Sequence, residues 1–103
     1  MKKIVNGLKY DTETATKVAE YEPFSNTTDF NWWCEELYRT SEGKWFKYGE
    51  GGPLSMYAKS GGKQTWGSSE IIPLAQDEAY EWLEKYNFVD KIEQYFPNNI
   101  EDA

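Results

Sequence analysis

Residues 32–52 read WWCEELYRTSEGKWFKYGEGG, and the fold follows from how this stretch pairs. Two runs rich in strand-favouring residues, EELYRT (35–40) and KWFKYG (44–49), flank the turn formers Ser41, Glu42 and Gly43. Antiparallel pairing of the two runs is the expectation. Because side chains alternate along a strand, Trp45, Lys47 and Gly49 share one face, with Phe46 and Tyr48 on the other.

Working outward, KKIVNGLKY (2–10) is a second hairpin, with Asn6–Gly7 supplying the two positive-φ turn residues. Asp11 or Thr12 can cap a turn of helix over Thr12–Ala15 through a side-chain oxygen. KVAEY (17–21) reads as a strand with Val18 and Glu20 on opposite faces, and residues 22–31 form a polar connection. Downstream of the central hairpin, LSMYAK (54–59) is expected to be a strand and SGGKQTWGSS (60–69) a loop.

The period then changes. In IIPLAQDEAYEWLEKYN (71–87), Ala79, Trp82, Leu83 and Tyr86 recur at helical spacing, which predicts an amphipathic helix entered through Pro73 and stopped at Asn87. Asp77, Glu81 and Glu84 lie on its opposite side, Asp77 and Glu78 suit the positive end of the helix dipole, and Glu81–Lys85 forms an i, i+4 pair. FVDKIEQYF (88–96) predicts a second short helix with Val89, Ile92 and Phe96 inward and Pro97 as its end. The whole is an α+β fold: a mostly antiparallel meandering sheet with two C-terminal helices packed on it. Residues 1–97 form a single module and 98–103 a frayed tail.

Composition narrows the function. Residues 1–69 hold nine acids and nine bases, whereas 70–103 hold nine acids against Lys85 and Lys91, so the entire net charge of −7 lies in the C-terminal third. Such a surface repels nucleic acid and draws basic partners, or serves solubility alone. The lone cysteine, Cys34, has no internal partner for a disulfide, and no apolar run is long enough for a signal peptide or a membrane span. The compartment this suggests is a reducing cytoplasm. Five Trp, eight Tyr and five Phe exceed what one small core needs, so some aromatics belong at the surface.

The glycines of YGEGGP (48–53) invite a phosphate-binding reading and fail it. No Lys-Ser/Thr follows them, and Pro53 and a strand-like run stand where a helix N-terminus is required. Gly49, Gly51 and Gly52 are therefore read as structural, allowing positive φ or a bulge. Catalysis has little to work with. Histidine is absent, which removes the usual near-neutral proton carrier and the commonest metal ligand, so no cofactor is assigned. Cys34 has Glu35–Glu36 beside it, which disfavours thiolate. Paired carboxylates of the glycosidase kind need to face each other, whereas Glu35 and Glu36 on a strand point to opposite faces and Asp77–Glu78 lie in a helical first turn. A basic-aromatic face drawn from Arg39, Lys44, Lys47 and Trp66 is the alternative for weak nucleic-acid contact. The stronger reading is protein recognition through Asp77, Glu78, Glu81, Glu84, Asp90 and Glu93, whose charges imitate a row of phosphates.

Three stretches carry a resemblance: MKKIVNGLKYDTETATKVAEY (1–21), LYRTSEGKWFKYGEGGPLSMYA (37–58) and IIPLAQDEAYEWLEKY (71–86). In this order they resemble a small module of Gram-positive mobile elements that is shared with type II-A anti-CRISPR proteins. The likeness spans about residues 2–96 and carries no catalytic motif with it. It departs at Ala75, where the family often has Thr ahead of the helix, a lost cap worth about 1 kcal/mol unless Ser68–Ser69 or water substitutes. The resemblance implies a phage or mobile-element protein in the bacterial host cytoplasm. It would be a non-enzymatic inhibitor that binds the type II CRISPR effector nuclease, with or without guide RNA, and blocks guide RNA or target DNA loading. The nuclease's nucleic-acid channels are positive, which suits acidic helices. The other reading is a regulatory or scaffolding module of a mobile element.

Overall fold

The structure, a computed structural model, describes residues 1–23 and 30–103. The middle of the expected polar connection, residues 24–29, lies outside the described residues. The fold is α+β.

Its centre is an antiparallel sheet of four strands in the order β3 (Thr16–Tyr21), β4 (Trp33–Arg39), β5 (Trp45–Gly51) and β8 (Ser68–Leu74). The central hairpin forms as read, with Arg39 opposite Trp45, Trp33 opposite Gly51, and Gly43 at φ 81° in the turn. β1 (Lys2–Val5) and β2 (Leu8–Asp11) make the N-terminal hairpin, closed by Asn6 at φ 51° and Gly7 at φ 79°. Residues 12–15 form a non-helical turn in place of the expected turn of helix, and Asp11 caps it, its Oδ1 accepting from the Glu13 N–H at 3.0 Å.

In a regular strand Val18 and Glu20 would share a face. The register slips between Lys17 and Ala19, and the bulge turns both Val18 and Ala19 into the core while Glu20 stays opposite Glu36 on the other side. This is why the two residues face apart.

Each face of the sheet is covered. On one, Leu37 and Trp45 meet Ala79, Trp82, Leu83, Ile92 and Phe96 from α1 (Gln76–Lys85) and α2 (Val89–Tyr95). On the other, Tyr38, Phe46 and Ile71 pack against Tyr10 of the first hairpin. That second core was not foreseen.

Three expectations are corrected. LSMYAK is not a strand: residues 53–57 are turns, and only Lys59 belongs to the short β6 (Lys59–Gly61). The expected loop 60–69 contains a hairpin of β6 and β7 (Gln64–Trp66) and the start of β8. IIPL is strand, and the helix begins at Gln76 instead of near Pro73. β8 is the sheet's edge, where proline is tolerated, and Pro73 sits opposite Phe46.

The helix boundaries follow local chemistry. Ala75 has N-cap backbone angles (φ −72°, ψ 162°) but no side-chain oxygen, and Glu78 accepts from the Ala75 N–H at 2.8 Å. Ser68 and Ser69 are committed to β8 and supply no cap. At the other end Asn87 adopts φ 60° while its N–H reaches the Glu84 carbonyl and Phe88 N–H the Leu83 carbonyl, a Schellman ending. The expected Glu81–Lys85 ion pair is absent among the described residues; Lys85 lies 5.2 Å over the Tyr86 ring. Val89, expected inward, is 51% exposed.

Candidate functional site

Glu35 is the one glutamate in the interior, 3% exposed. Alternation along β4 puts it on the face that carries Leu37, so α1 covers it. Its Oε1 accepts from the Trp82 indole N–H at 2.8 Å. Its Oε2 accepts from the Tyr57 hydroxyl and lies 3.4 Å from Lys47 Nζ. Burial first, then that hydrogen bond to Glu35, pushes the Tyr57 phenol well above its ordinary range. Every oxygen has a donor, and the group clamps β4, β5, the 52–58 turns and α1 together. Glu36 points to the opposite face, where it accepts from Tyr38 at 2.6 Å. The adjacent pair therefore never meets across a common substrate position.

The glycines serve this clamp. A Cβ on Gly49 would overlap the Tyr57 ring, and one on Gly51 would stand 2.8 Å from the Trp32 carbonyl oxygen. None of Gly49, Gly51 and Gly52 has positive φ, and close approach, not backbone handedness, is what requires Gly49 and Gly51. Cys34 is buried, and burial together with the Glu50 charge pushes its thiol up to about 12. No group of three His, Cys, Asp or Glu among the described residues is placed to hold a metal ion.

The six helix carboxylates are all at the surface: Asp77, Glu78, Glu81 and Glu84 on α1, Asp90 and Glu93 on α2. None belongs to an ion pair among the described residues. Five of them line three different depressions. Glu84 and Glu93 line a groove of about 610 Å³ between the two helices and the tail, together with the buried Ile92 and the exposed Pro97. Glu78 and Glu81 border a separate depression with Lys47 and Lys85, and Asp90 borders a third beside Lys91. Glu84 also holds the Tyr80 hydroxyl, which raises the phenol above its ordinary range. The contribution of the tail, Ile100 and Asp102, to the groove escaped the sequence reading, which treated residues 98–103 as frayed. A signal was there: Ile100 is the one large apolar residue after Pro97.

The basic-aromatic alternative is dispersed. Arg39 lies 5.5 Å over Trp45 and 5.7 Å over Tyr95, and Lys47 is paired with Glu35. Lys44 is in the turn beside Trp45, at one end of the seven-residue β5, whereas Trp66 precedes β8 at the Gly51 end. A strand of that length separates them by about 20 Å. Trp66 does stay 47% exposed, on the projecting β6–β7 hairpin.

No protein-family model, curated protein or solved structure matches this chain. No helix among the described residues is long and apolar enough to cross a membrane.

Proposed function

We propose that this chain is a non-enzymatic anti-CRISPR protein: it binds the type II RNA-guided nuclease in the bacterial cytoplasm and blocks guide RNA or target DNA loading. The observation that carries the reading is the exposure of six helix carboxylates without a single paired cation among the described residues. Exposed and outside any ion pair, they are free to attract a positive surface, and such long-range attraction speeds encounter. The resemblance of residues 1–21, 37–58 and 71–86 to the anti-CRISPR-associated module supplies the identity of the partner. The saturation of Glu35 by three donors within the fold supports a structural role for the one buried glutamate.

The test is co-purification of the tagged chain with guide-free and guide-loaded type II nucleases, with and without added ribonuclease and deoxyribonuclease. Retention of the guide-free nuclease through nucleic-acid digestion is the expected result. Recovery of nucleic acid in place of the nuclease would overturn it in favour of the scaffolding module with contact near Trp66.

A further inference from the structure

We infer that the groove between α1, α2 and the C-terminal tail is a docking site for a basic amphipathic helix of a protein partner, one that presents apolar side chains flanked by Lys or Arg. This deepens the proposed function and rests on it for the partner's identity.

The groove differs from the other acidic depressions in combining exposed apolar side chains with carboxylates that no cation in its lining offsets. Val89 and Ile100, in its lining, are 51% and 40% exposed, and Ile92 and Pro97 line it with them. The rim carries Glu84, Glu93 and Asp102, and no Lys or Arg lines it. By contrast, the depression at Glu78 and Glu81 includes Lys47 and Lys85, which partly cancel its charge. Negative charge without a neighbouring cation therefore coincides with exposed apolar side chains in this groove.

The volume of about 610 Å³ is in the range of sites that take several side chains. A small cation alone would meet the carboxylates and leave the exposed Val89 and Ile100 in contact with water. The occupant must bring its own apolar surface to cover these side chains and its own positive charge for the rim. An amphipathic basic helix does both, with anchors one turn apart entering the groove.

The site is tested by methyl and amide NMR of the full chain, titrated with short synthetic Lys/Leu amphipathic, Lys/Ser and Glu/Leu peptides. Only the Lys/Leu peptide should shift the Val89, Ile92 and Ile100 methyls. Paired Val89→Ser and Ile100→Ser changes, at exposed positions the fold does not need, should weaken it by about ten-fold, while Glu42→Lys on the distant β4–β5 turn should not. Equal shifts from the Lys/Ser peptide, or binding unaffected by the serine changes, would overturn the proposal. The nuclease gives the second arm. If it is captured equally by the parent and the serine variant, the groove is not its contact, although the nuclease reading stands. If the parent captures no nuclease yet the Lys/Leu peptide fills the groove, the nuclease reading fails and the docking site stands.

Discussion

The indole N–H of Trp82 donates to Glu35 Oε1 at 2.8 Å, joining the first helix to the middle of the sheet across 47 residues of chain. A carboxylate in the interior is tolerable only when its lone pairs are met, and here Tyr57 and Lys47 complete the set. Glu35→Ala would leave all three donors without their acceptor. The expected cost is about 3 kcal/mol, at the lower end for broken buried pairs because Lys47 keeps some contact with water. Urea unfolding followed by tryptophan fluorescence measures it, and a loss below about 1 kcal/mol would show that the clamp is dispensable.

The Tyr57 ring owes its position to the missing side chain at Gly49. Gly49→Ala should destabilise by about 2 kcal/mol through overpacking. The same change in a Tyr57→Ala background should cost far less, since the ring it would strike is gone. A double-mutant cycle of denaturation midpoints reads the coupling; additive effects would mean the two residues do not compete for space.

Ala75 already has the backbone angles of an N-cap, and only the oxygen is missing. Ala75→Thr should therefore raise stability by about 1 kcal/mol, visible as a higher thermal midpoint. No gain would mean that the first-turn N–H groups are satisfied by another acceptor.

Alkali should unfold the protein early. Burial holds Cys34 up at about 12, and burial also raises Tyr38, Tyr48, Tyr57 and Tyr86 above the ordinary 10.0 of tyrosine. The folded state thus keeps protons that the unfolded state releases, so stability is full below about pH 9 and falls as pH rises toward 12. Urea midpoints at pH 8 and pH 10.5 should differ in that direction. A midpoint that stays level or rises would contradict the burial of these groups.

Much of this was legible in the residues. Strand alternation in EELYRT and KWFKYG, the Asn6–Gly7 turn and the helical spacing of Ala79, Trp82 and Leu83 each encode local geometry, and each appears. Position along the chain did not reveal partners distant in it. IIPL resembles the opening of a helix until β5 is present to pair with it, and Val89 fits an inward helical position until the tail frames a groove beside it. The inward turn of Glu35 follows from its alternation with Leu37, but its three donors come from β5, the turns after β5 and α1. The six carboxylates lie outside the core, as their helical spacing indicates, while the depressions that five of them line depend on neighbours from β5, β8 and the tail that the spacing does not reveal.

The direct measurement of the central claim is the affinity of the Glu81→Lys, Glu84→Lys variant for the guide-free type II nuclease, at low and physiological salt, beside its unfolding midpoint. Both side chains are exposed and have no cation partner among the described residues, so the midpoint should change only by the small loss of the surface Tyr80–Glu84 hydrogen bond. The account predicts a loss of affinity of about ten-fold or more, steepest at low salt. Parent-level affinity in the correctly folded variant would contradict it.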